Sequence, residues 1–356
     1  MSATGVSDRE QKILGIIETA RAKRAKFRDE RITMAHGAGG KATQTLIEGL
    51  LAPAFGMDEL ADAAGVGELA ITTDGYVVKP LRFPGGSSGE LAVNGTVNDL
   101  AMAGARPLAL TLSMVLEEGL ESDVLRQEVD AIARTAEAAG VRIVGGDTKV
   151  VPRGLCDQMY LTTTGIGRSD PRATLSPTGL RPGDRVLLSG TIGEHGTAIM
   201  LARDEFALEG SIESDTRNLW PVVDALLDAA GPGLRCLRDA TRGGVASVLN
   251  ELARASGVAM IVREAAVPVT PAVAGACELL GIDAMYVANE GKFVAFVGPE
   301  LADEALKALR SVPGCADAAE IGEVRTEPPG MVLVETAFGG RRVMDQLVGD
   351  PLPRIC

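Results

Sequence analysis

The sequence is poor in aromatic side chains and in positive charge. Phe, Trp and Tyr make up 3% of its 356 residues, and 35 Lys and Arg are outnumbered by 48 Asp and Glu. The resulting net charge of −13 repels nucleic acids and anionic lipids, so we expect no nucleic-acid partner and no membrane partner. An anionic substrate therefore has to be held by local devices, namely glycine loops, helix N-termini or a divalent cation.

Long apolar runs and paired cysteines are also missing. No segment approaches the roughly 20 uninterrupted apolar residues of a membrane span, and the N-terminus lacks the pattern of a secretory signal. The cysteines are odd in number, and none has metal-ligand or CxxC spacing; they are Cys156, Cys236, Cys277, Cys315 and Cys356. These absences predict a cytoplasmic protein whose thiols are mostly buried and inert.

The residues that are abundant favour a mixed α/β fold. The 43 glycines and the 46% of hydrophobic residues suit two α/β domains, for which the chain is long enough. We expect a charged helical extension over residues 1–31, an N-terminal α/β domain over 32–170, a C-terminal α/β domain over 176–346, and a flexible tail over 347–356. The boundary between the domains is the turn-rich stretch 176–184.

Hydrophobic periodicity predicts the main elements of both domains. For the first domain it predicts strands at 69–74, 108–116, 141–151 and 158–166, and helices at 90–103 and 121–139. For the second domain it predicts strands at 185–189, 258–263, 292–297 and 331–335, and helices at 195–204, 217–229, 243–256 and 300–311.

The last residue, Cys356, ends a proline-containing tail. Pro351 and Pro353 fix φ and bias the residues before them towards extended conformations. At ~3.1 Å per residue the last eight residues reach roughly 25 Å, so the thiol is suited to act as a chemical arm. The alternative is a frayed terminus without function. A prenyl anchor is excluded because no residue follows the cysteine.

A glycine-rich turn, residues 36–41, precedes a helix that starts near Ala42. Backbone N–H groups exposed at a helix start suit phosphate, which makes Gly37, Gly39, Gly40 and Lys41 candidates for nucleotide binding. The turn is not a Walker A loop, and its match to the dinucleotide fingerprint is weak. A plain turn is the alternative.

Four aspartates each lie at the end of an apolar stretch, beside small or turn residues: Asp74, Asp99, Asp147 and Asp239. Carboxylates at such positions are hard oxygen ligands of the kind that Mg²⁺ uses when it bridges a nucleotide triphosphate. Each one alone is better explained as a capping or turn residue. The set of four favours a metal–nucleotide site.

Two further charged residues occupy unusual positions. Lys149 follows directly on Gly-Gly-Asp-Thr, and Glu290 precedes an apolar strand. Either is a candidate acid–base group, and either is equally compatible with a plain surface position.

Taken together, these motifs are similar to those of a known family. The chain resembles, from about residue 32 to 356, the HypE carbamoyl dehydratases of [NiFe]-hydrogenase maturation, within the superfamily of aminoimidazole ribonucleotide synthetase and selenophosphate synthetase. The segments that carry the resemblance are 36–41, 72–78, 91–99, 145–150, 239–245, 287–292 and 353–356.

The resemblance implies a two-domain fold of the aminoimidazole ribonucleotide synthetase type, with ATP between the domains and a homodimer formed by the N-terminal domain. It implies that a carbamoyltransferase, HypF, loads the Cys356 thiol. ATP then drives dehydration of the thiocarbamate to a thiocyanate, and the cyanide passes to iron held by a HypC–HypD complex. In this scheme the tail docks only when it is loaded and ATP is present.

The chemical needs of this reaction suggest roles for individual residues. Cys356 carries the substrate, Lys149 is the cation beside the reacting oxygen, and Glu290 is the base for the N–H protons. Mg²⁺ is held by Asp74, Asp99 and Asp239, with further candidates in Asp62 and Asp147. The residues assigned to ATP are Gly37, Gly39, Gly40, Lys41, Thr73, Asn94, Asn98, Thr148 and Thr241.

Asn94 and Asn98, one helical turn apart, are also candidates to orient the carboxamide. Two other functions stay open at this point: an ATP-dependent enzyme that acts on a soluble small molecule, and a non-catalytic carrier of the thiol-bound group.

Overall fold

The computed structural model describes residues 26–57, 60–203, 212–349 and 354–356. Most of the extension predicted over 1–31 lies outside these ranges, as do Pro351 and Pro353. Residues 26–31 are described and are not helical, so that part of the prediction is wrong. Phe27 packs edge-on against the His36 ring, and Asp29 lies 2.9 Å from His36 Nε2, which directs this segment towards the glycine turn.

The first sheet has five strands in the order β1-β2-β7-β5-β6. Its strands are β1 (Ala64–Val66), β2 (Leu69–Tyr76), β5 (Ala105–Glu117), β6 (Arg142–Val151) and β7 (Met159–Ser169). Strand β7 pairs antiparallel with both β2 and β5, whereas β6 pairs parallel with β5. Strand β6 therefore forms one edge of this sheet. A small hairpin consists of β3 (Arg82–Phe83) and β4 (Gly86–Ser87).

The first helical element of this region is a 3₁₀ turn (Met34–Gly37). Three elements then follow one another without a break: α1 (Lys41–Leu46), a π-helical turn (Ile47–Leu51) and α2 (Ala52–Phe55). Two longer helices follow, α3 (Ser88–Met102) and α4 (Ser122–Ala138). The burial of α4 is one-sided, as its pattern predicts.

The second sheet has seven strands in the order β14-β13-β10-β12-β8-β11-β9. The strands are β8 (Arg185–Leu188), β9 (Leu234–Asp239), β10 (Ala259–Arg263), β11 (Phe293–Val297), β12 (Ala319–Arg325), β13 (Val332–Glu335) and β14 (Arg341–Met344). The helices are α5 (Glu194–Ala202), α6 (Trp220–Ala230), α7 (Gly244–Ala255), α8 (Pro271–Leu280) and α9 (Ala302–Ser311). Short 3₁₀ turns lie at Gly231–Gly233, Glu264–Ala266, Ala284–Tyr286 and Pro299–Leu301. Among the described residues, no helix combines the length and the apolarity needed to cross a bilayer.

Helix α3 joins the two sheet regions. It is buried over nearly its whole length, and Ser87 caps it by accepting a hydrogen bond from the Glu90 backbone N–H. Asn98 donates to the carbonyl oxygens of Arg217 and Glu290 and accepts from the Leu219 N–H at 2.8 Å. A helix that is buried on all sides needs such partners for its polar side chains, and here they come from the second region.

The strands and helices that periodicity predicts for the two domains all occur within a few residues of the expected bounds. The pattern missed the strands β1, β3, β4, β9, β12 and β14 and the helices α2 and α8. In β9, Arg235 and Arg238 interrupt the apolar residues, so the segment resembles a loop until its pairing with β11 is known. Residues 170–184, all described, contain no helix or strand.

Candidate active site

Three carboxylates from distant parts of the chain converge where the two sheet regions meet. Oxygen atoms of Asp62, Asp99 and Asp239 all lie within 4.8 Å of one another. Asp62 precedes β1, Asp99 lies in the last turn of α3, and Asp239 ends β9. The cluster therefore exists only when the two regions are packed together.

Burial is the main cause that raises the pKa of each of these carboxyl groups. Repulsion from neighbouring carboxylates raises the pKa of Asp99 and of Asp239 further. The pKa of each of these two groups is well above the ordinary value of an aspartate. Arg238 Nε lies 2.9 Å from Asp62 and offsets part of the negative charge. Three hard oxygen donors with unrelieved repulsion fit a divalent cation such as Mg²⁺.

Strand β2 adds two polar side chains to this cluster. Thr72 Oγ1 lies 2.7 Å from Asp99 Oδ2 and 2.9 Å from the Asp62 carbonyl oxygen. The charge of Asp74 contributes to the raised pKa of all three clustered aspartates. Thr73, the residue predicted for ATP, faces the opposite side of the sheet, where its hydroxyl bonds to the Thr163 carbonyl oxygen. The period-two alternation of the strand is the signal that selects Thr72 over Thr73.

The C-terminus is docked beside this cluster. The Cys356 carbonyl oxygen accepts from the Val77 N–H at 3.2 Å, and the Arg354 carbonyl oxygen accepts from the Lys79 N–H at 3.2 Å. Ile355 is 4% exposed and packs into a hydrophobic core to which both regions contribute. Backbone pairing and the burial of Ile355 hold the tail in this position, and docking that depends on loading and on ATP stays a prediction.

The surroundings of the Cys356 thiol are mostly acidic. Burial raises its pKa, the charge of Arg242 opposes this, and the charges of Glu290, Asp74 and Asp239 raise it further. The docked free thiol is thus kept protonated. Docked Cys356 and the carboxylate cluster accordingly share one site.

Glu290 is a buried carboxyl group in this site. It is 4% exposed, and its Oε1 has no hydrogen-bond partner among the described residues. Burial, followed by the charges of Asp239 and Asp74, raises its pKa well above the ordinary value. A desolvated carboxyl with a free acceptor oxygen is suited to take a proton from a nearby N–H.

Arg242 was not singled out from the sequence, and it is the cation that faces these groups. Its charge acts on Cys356, Glu290 and Asp239. Its guanidinium donates to the Gly37 carbonyl oxygen at 2.9 Å. The tight turn after β9 places it, because Gly243 and Gly244 have φ of +77° and +60°. A Cβ on Gly244 would lie 2.6 Å from two backbone oxygens, so the turn requires glycine there.

Lys149 does not reach this site within one chain. Its Nζ pairs with Asp147 at 2.8 Å, and both side chains are more than half exposed on β6. Across the sheet, Asp74 is level with Gly146 and is separated from it by β7 and β5. Three strand spacings correspond to roughly 14 Å. The assignments of Lys149, Asp147 and Thr148 to the site therefore fail for a single chain, because strand order puts β6 at the far edge.

The glycine turn lies against the site, but it offers less to a phosphate than predicted. The Gly39 N–H already donates to Thr43 Oγ1 at 3.0 Å, and the Lys41 N–H donates to the Leu347 carbonyl oxygen. Lys41 Nζ pairs with Asp345 at 2.7 Å. Most polar groups of the turn are thus already bonded, several of them to the second region. Position 40 requires glycine, because a Cβ there would collide with the Leu347 carbonyl oxygen.

The two asparagines of α3 also have structural partners. Asn94 donates to Thr216 Oγ1 at 3.3 Å, and the amide of Asn98 is fully used by backbone groups. Asn98 is therefore not free to orient a carboxamide, which corrects that prediction. Thr241 lies in the turn after Asp239, where its carbonyl oxygen accepts from the Gly244 N–H.

Comparison with known proteins gives consistent matches over the whole described chain. The family model of the AIR synthase related protein N-terminal domain matches residues 60–169, and that of the C-terminal domain matches residues 181–334. The carbamoyl dehydratase HypE of Rhodobacter capsulatus is 48% identical over 339 residues, which cover 93% of this chain and 99% of that protein. The carbamoyl dehydratase HypE of Escherichia coli K12 is 45% identical and covers 91% and 99%.

Solved structures show the same similarity. HypE in a crystal structure of a HypE–HypF complex has a TM-score of 0.82 and 43% identity, covering 85% of this chain and 99% of that one. HypE crystallised in complex with ATP has a TM-score of 0.78 and 42% identity, covering 92% and 100%.

Proposed function

Because this chain belongs to the carbamoyl dehydratase HypE family, we propose that it uses ATP to dehydrate a carbamoyl group on the Cys356 thiol. The product is a thiocyanate, which supplies the cyanide ligand to the iron of a [NiFe]-hydrogenase. The observation that carries the proposal is the docked Cys356, whose neighbours are Glu290, Arg242 and the carboxylate cluster.

The reaction has to turn an amide oxygen into a leaving group. The oxygen of Cys356–S–C(=O)–NH₂ attacks the γ-phosphorus of ATP, and ADP leaves. Loss of one N–H proton gives Cys356–S–C(=NH)–O–PO₃. Loss of the second proton and cleavage of the C–O bond give Cys356–S–C≡N and phosphate. The departing phosphate, itself a base, accepts the second proton.

The site residues divide these tasks. Glu290 accepts the first N–H proton at its unpartnered Oε1. Arg242 stabilises negative charge that develops on the amide oxygen and the transferred phosphoryl group, the role that the sequence had assigned to Lys149. Packing of Ile355 and the tail backbone over the site excludes water, which would otherwise hydrolyse the thiocarbamate.

Asp62, Asp99 and Asp239 would hold Mg²⁺, with Asp74 beside them. When bound, the ion neutralises the triphosphate and orients it. The residues themselves supply the fixed oxygen ligands, and Thr72 holds the Asp99 carboxylate in place.

Mass spectrometry of the intact, carbamoylated protein tests the proposal. We expect Mg–ATP to cause the loss of one water's mass, localised to Cys356 by peptide mapping. Cys356→Ala should bind ATP normally and never form thiocyanate. A loaded tail that stays unchanged with ATP would favour a carrier, and ATP turnover that survives Cys356→Ala would favour a soluble substrate.

The tail also has to meet other proteins. We propose that it is loaded by a HypF-type carbamoyltransferase, as the HypE–HypF crystal structure of a relative supports, and that it delivers cyanide to a HypC–HypD complex. The five cysteines are free, and Cys356 must stay a thiol to be loaded. This requirement supports a reducing location such as the cytoplasm.

We also propose a homodimer that covers strand β6. Every β6 residue except Val151 is exposed, including Val144 and Val150, and an uncovered apolar edge strand is a ready site for pairing. A role for Lys149 in the reaction then requires the second copy of the chain.

Sedimentation equilibrium and subunit mixing test this arrangement. Val150→Lys should shift the protein towards monomers. Inactive Lys149→Met and inactive Glu290→Gln proteins should regain activity when their subunits are exchanged, since one mixed site keeps both residues. Absence of any recovery in proven heterodimers would exclude Lys149 from acting across the interface.

A further inference from the structure

The proposed chemistry requires that the tail and Glu290 keep a fixed separation, although they come from distant segments of the chain. Both are connected to the same short segment, residues 214–216. This connection involves His195 and Asp215, neither of which the reaction itself uses.

On the tail side, the connection runs through His195. This side chain is fully buried, and its Nε2 lies 2.6 Å from the Ile355 carbonyl oxygen. A carbonyl oxygen only accepts hydrogen bonds, so Nε2 must carry the proton. Nδ1 of the neutral ring then accepts from Ser214 Oγ, at 2.8 Å. The Phe83 ring packs edge-on against the imidazole and fixes its plane.

On the base side, the connection runs through Asp215. Its two carboxylate oxygens accept from the backbone N–H groups of Glu290 and Gly291, at 3.0 and 3.2 Å. Lys292 Nζ, 3.1 Å away, compensates the buried charge. Asp215 thus fixes the backbone from which the Glu290 side chain extends.

The segment between these contacts is itself anchored. The Ser214 N–H donates to the Pro84 carbonyl oxygen at 2.8 Å, and the Thr216 N–H donates to Ser214 Oγ at 3.2 Å. Thr216 Oγ1 in turn accepts from Asn94 on α3. The segment is therefore held by the hairpin, by its own turn and by the central helix.

Building on the proposed function, we propose that residues 214–216 form a bracket that sets the distance between the Cys356 thiol and Glu290. His195 is its positioning residue on the tail side, and Asp215 is its positioning residue on the base side. Neither touches the reacting atoms. In reactions of held groups, a misplacement of about 1 Å costs about 10²-fold in rate.

Three variants separate positioning from other roles. His195→Gln carries an amide N–H near the position of Nε2 and keeps the bond to the tail, whereas the shorter His195→Asn loses it. Ser214→Ala leaves the imidazole in place and removes its Nδ1 partner. Ser214→Ala still tests the proposal if His195→Asn does not fold, because it replaces a small side chain by a smaller one.

Two measurements are made on each full-length variant. The first is the rate of iodoacetamide alkylation of Cys356 in the unloaded protein, resolved by peptide mass spectrometry. The second is the single-turnover rate of dehydration of the carbamoylated protein at saturating Mg–ATP. Calorimetric ATP affinity is the control, since neither His195 nor Ser214 lies in the carboxylate cluster.

For His195→Asn we expect roughly tenfold faster alkylation and 10- to 100-fold slower dehydration, with unchanged ATP affinity. His195→Gln should bring both the alkylation rate and the dehydration rate most of the way back to wild type. Ser214→Ala should change the two rates in the same directions as His195→Asn, but by less. The bracket would be overturned if folded His195→Asn and Ser214→Ala both alkylated and dehydrated at the wild-type rates. It would also be overturned if His195→Gln and His195→Asn showed equal defects. If the wild-type protein does not dehydrate at all, the proposed function fails, but the alkylation rates still test the bracket.

Discussion

Strands β9 and β6 are both edge strands that carry an aspartate near a pair of glycines, yet their surroundings are opposite. Asp239 at the end of β9 is buried, and the neighbouring Arg238 pairs with Asp62 of the first region. Asp147 on β6 is exposed, forms an ion pair with Lys149, two residues along, and accepts a hydrogen bond from the Thr148 N–H. The edge at β9 is covered by the first sheet region, whereas that at β6 is uncovered in the single chain. The same local sequence pattern thus joins a buried carboxylate cluster only where another part of the fold packs against it.

The largest loss of activity should follow a substitution in the buried site at the end of β9. Glu290→Gln removes the proton acceptor but keeps the size of the side chain, so we expect roughly 10³-fold slower dehydration and accumulation of carbamoylated Cys356. Single-turnover mass spectrometry measures both. Glu128→Gln is the matched control, because Glu128 is equally buried but contacts the start of α3. Normal turnover in Glu290→Gln would remove Glu290 as the base.

The next effect compares the two aspartates directly. Asp239→Asn removes one charged ligand from the cluster and should weaken Mg–ATP binding about 100-fold, by calorimetry. Asp147→Asn should weaken it less than about tenfold, because in one chain this carboxylate is distant from the cluster. Equal losses of Mg–ATP affinity in the two variants would contradict the contrast between β9 and β6. They would mean that a second copy of the chain brings β6 to the site.

The smallest effect concerns stability and its dependence on pH. Burial and repulsion raise the pKa of Asp99 in the folded protein above its unfolded value. Its contribution to stability is therefore fully present at pH below the unfolded pKa and is lost as pH rises through the folded pKa. At neutral pH, metal-free Asp99→Asn should melt roughly 2–4 °C above the wild type. With Mg–ATP the order should reverse, because only the wild type gains from binding.

Asp147 provides the control with the opposite sign. Its hydrogen bond with Lys149 lowers its pKa, so its contribution is present above the unfolded pKa and is lost as pH falls. Because the pair is exposed, Asp147→Asn should leave the melting temperature almost unchanged at neutral pH. A melting temperature of Asp99→Asn below that of the wild type without metal would contradict the assigned repulsion.

Sequence patterns located most elements and many of the site residues. Regular periodicity identified β2, β5, β7, α3 and α4. Of the four motif aspartates, Asp99 and Asp239 lie in the carboxylate cluster, which Asp62 completes, whereas Asp147 lies on β6. The patterns failed where burial arises from distant segments. Strand β9 contains two arginines and was missed, and Arg242 was passed over although it lies three residues after Asp239. No local pattern distinguishes it from a surface arginine.

The sequence by itself determined the chemistry that is available: a terminal thiol, a set of hard carboxylate ligands, a glutamate before a buried strand, and glycines where turns need positive φ. These follow from residue type and local spacing. Tertiary structure alone decided which groups meet. It placed Thr72 rather than Thr73 beside Asp99, left Lys149 on an open edge, committed the Asn98 amide to backbone partners, and held the tail through His195. The physical reason is that desolvation, charge coupling and hydrogen-bond competition depend on neighbours in space, and strand order and the packing of the two sheet regions set those neighbours.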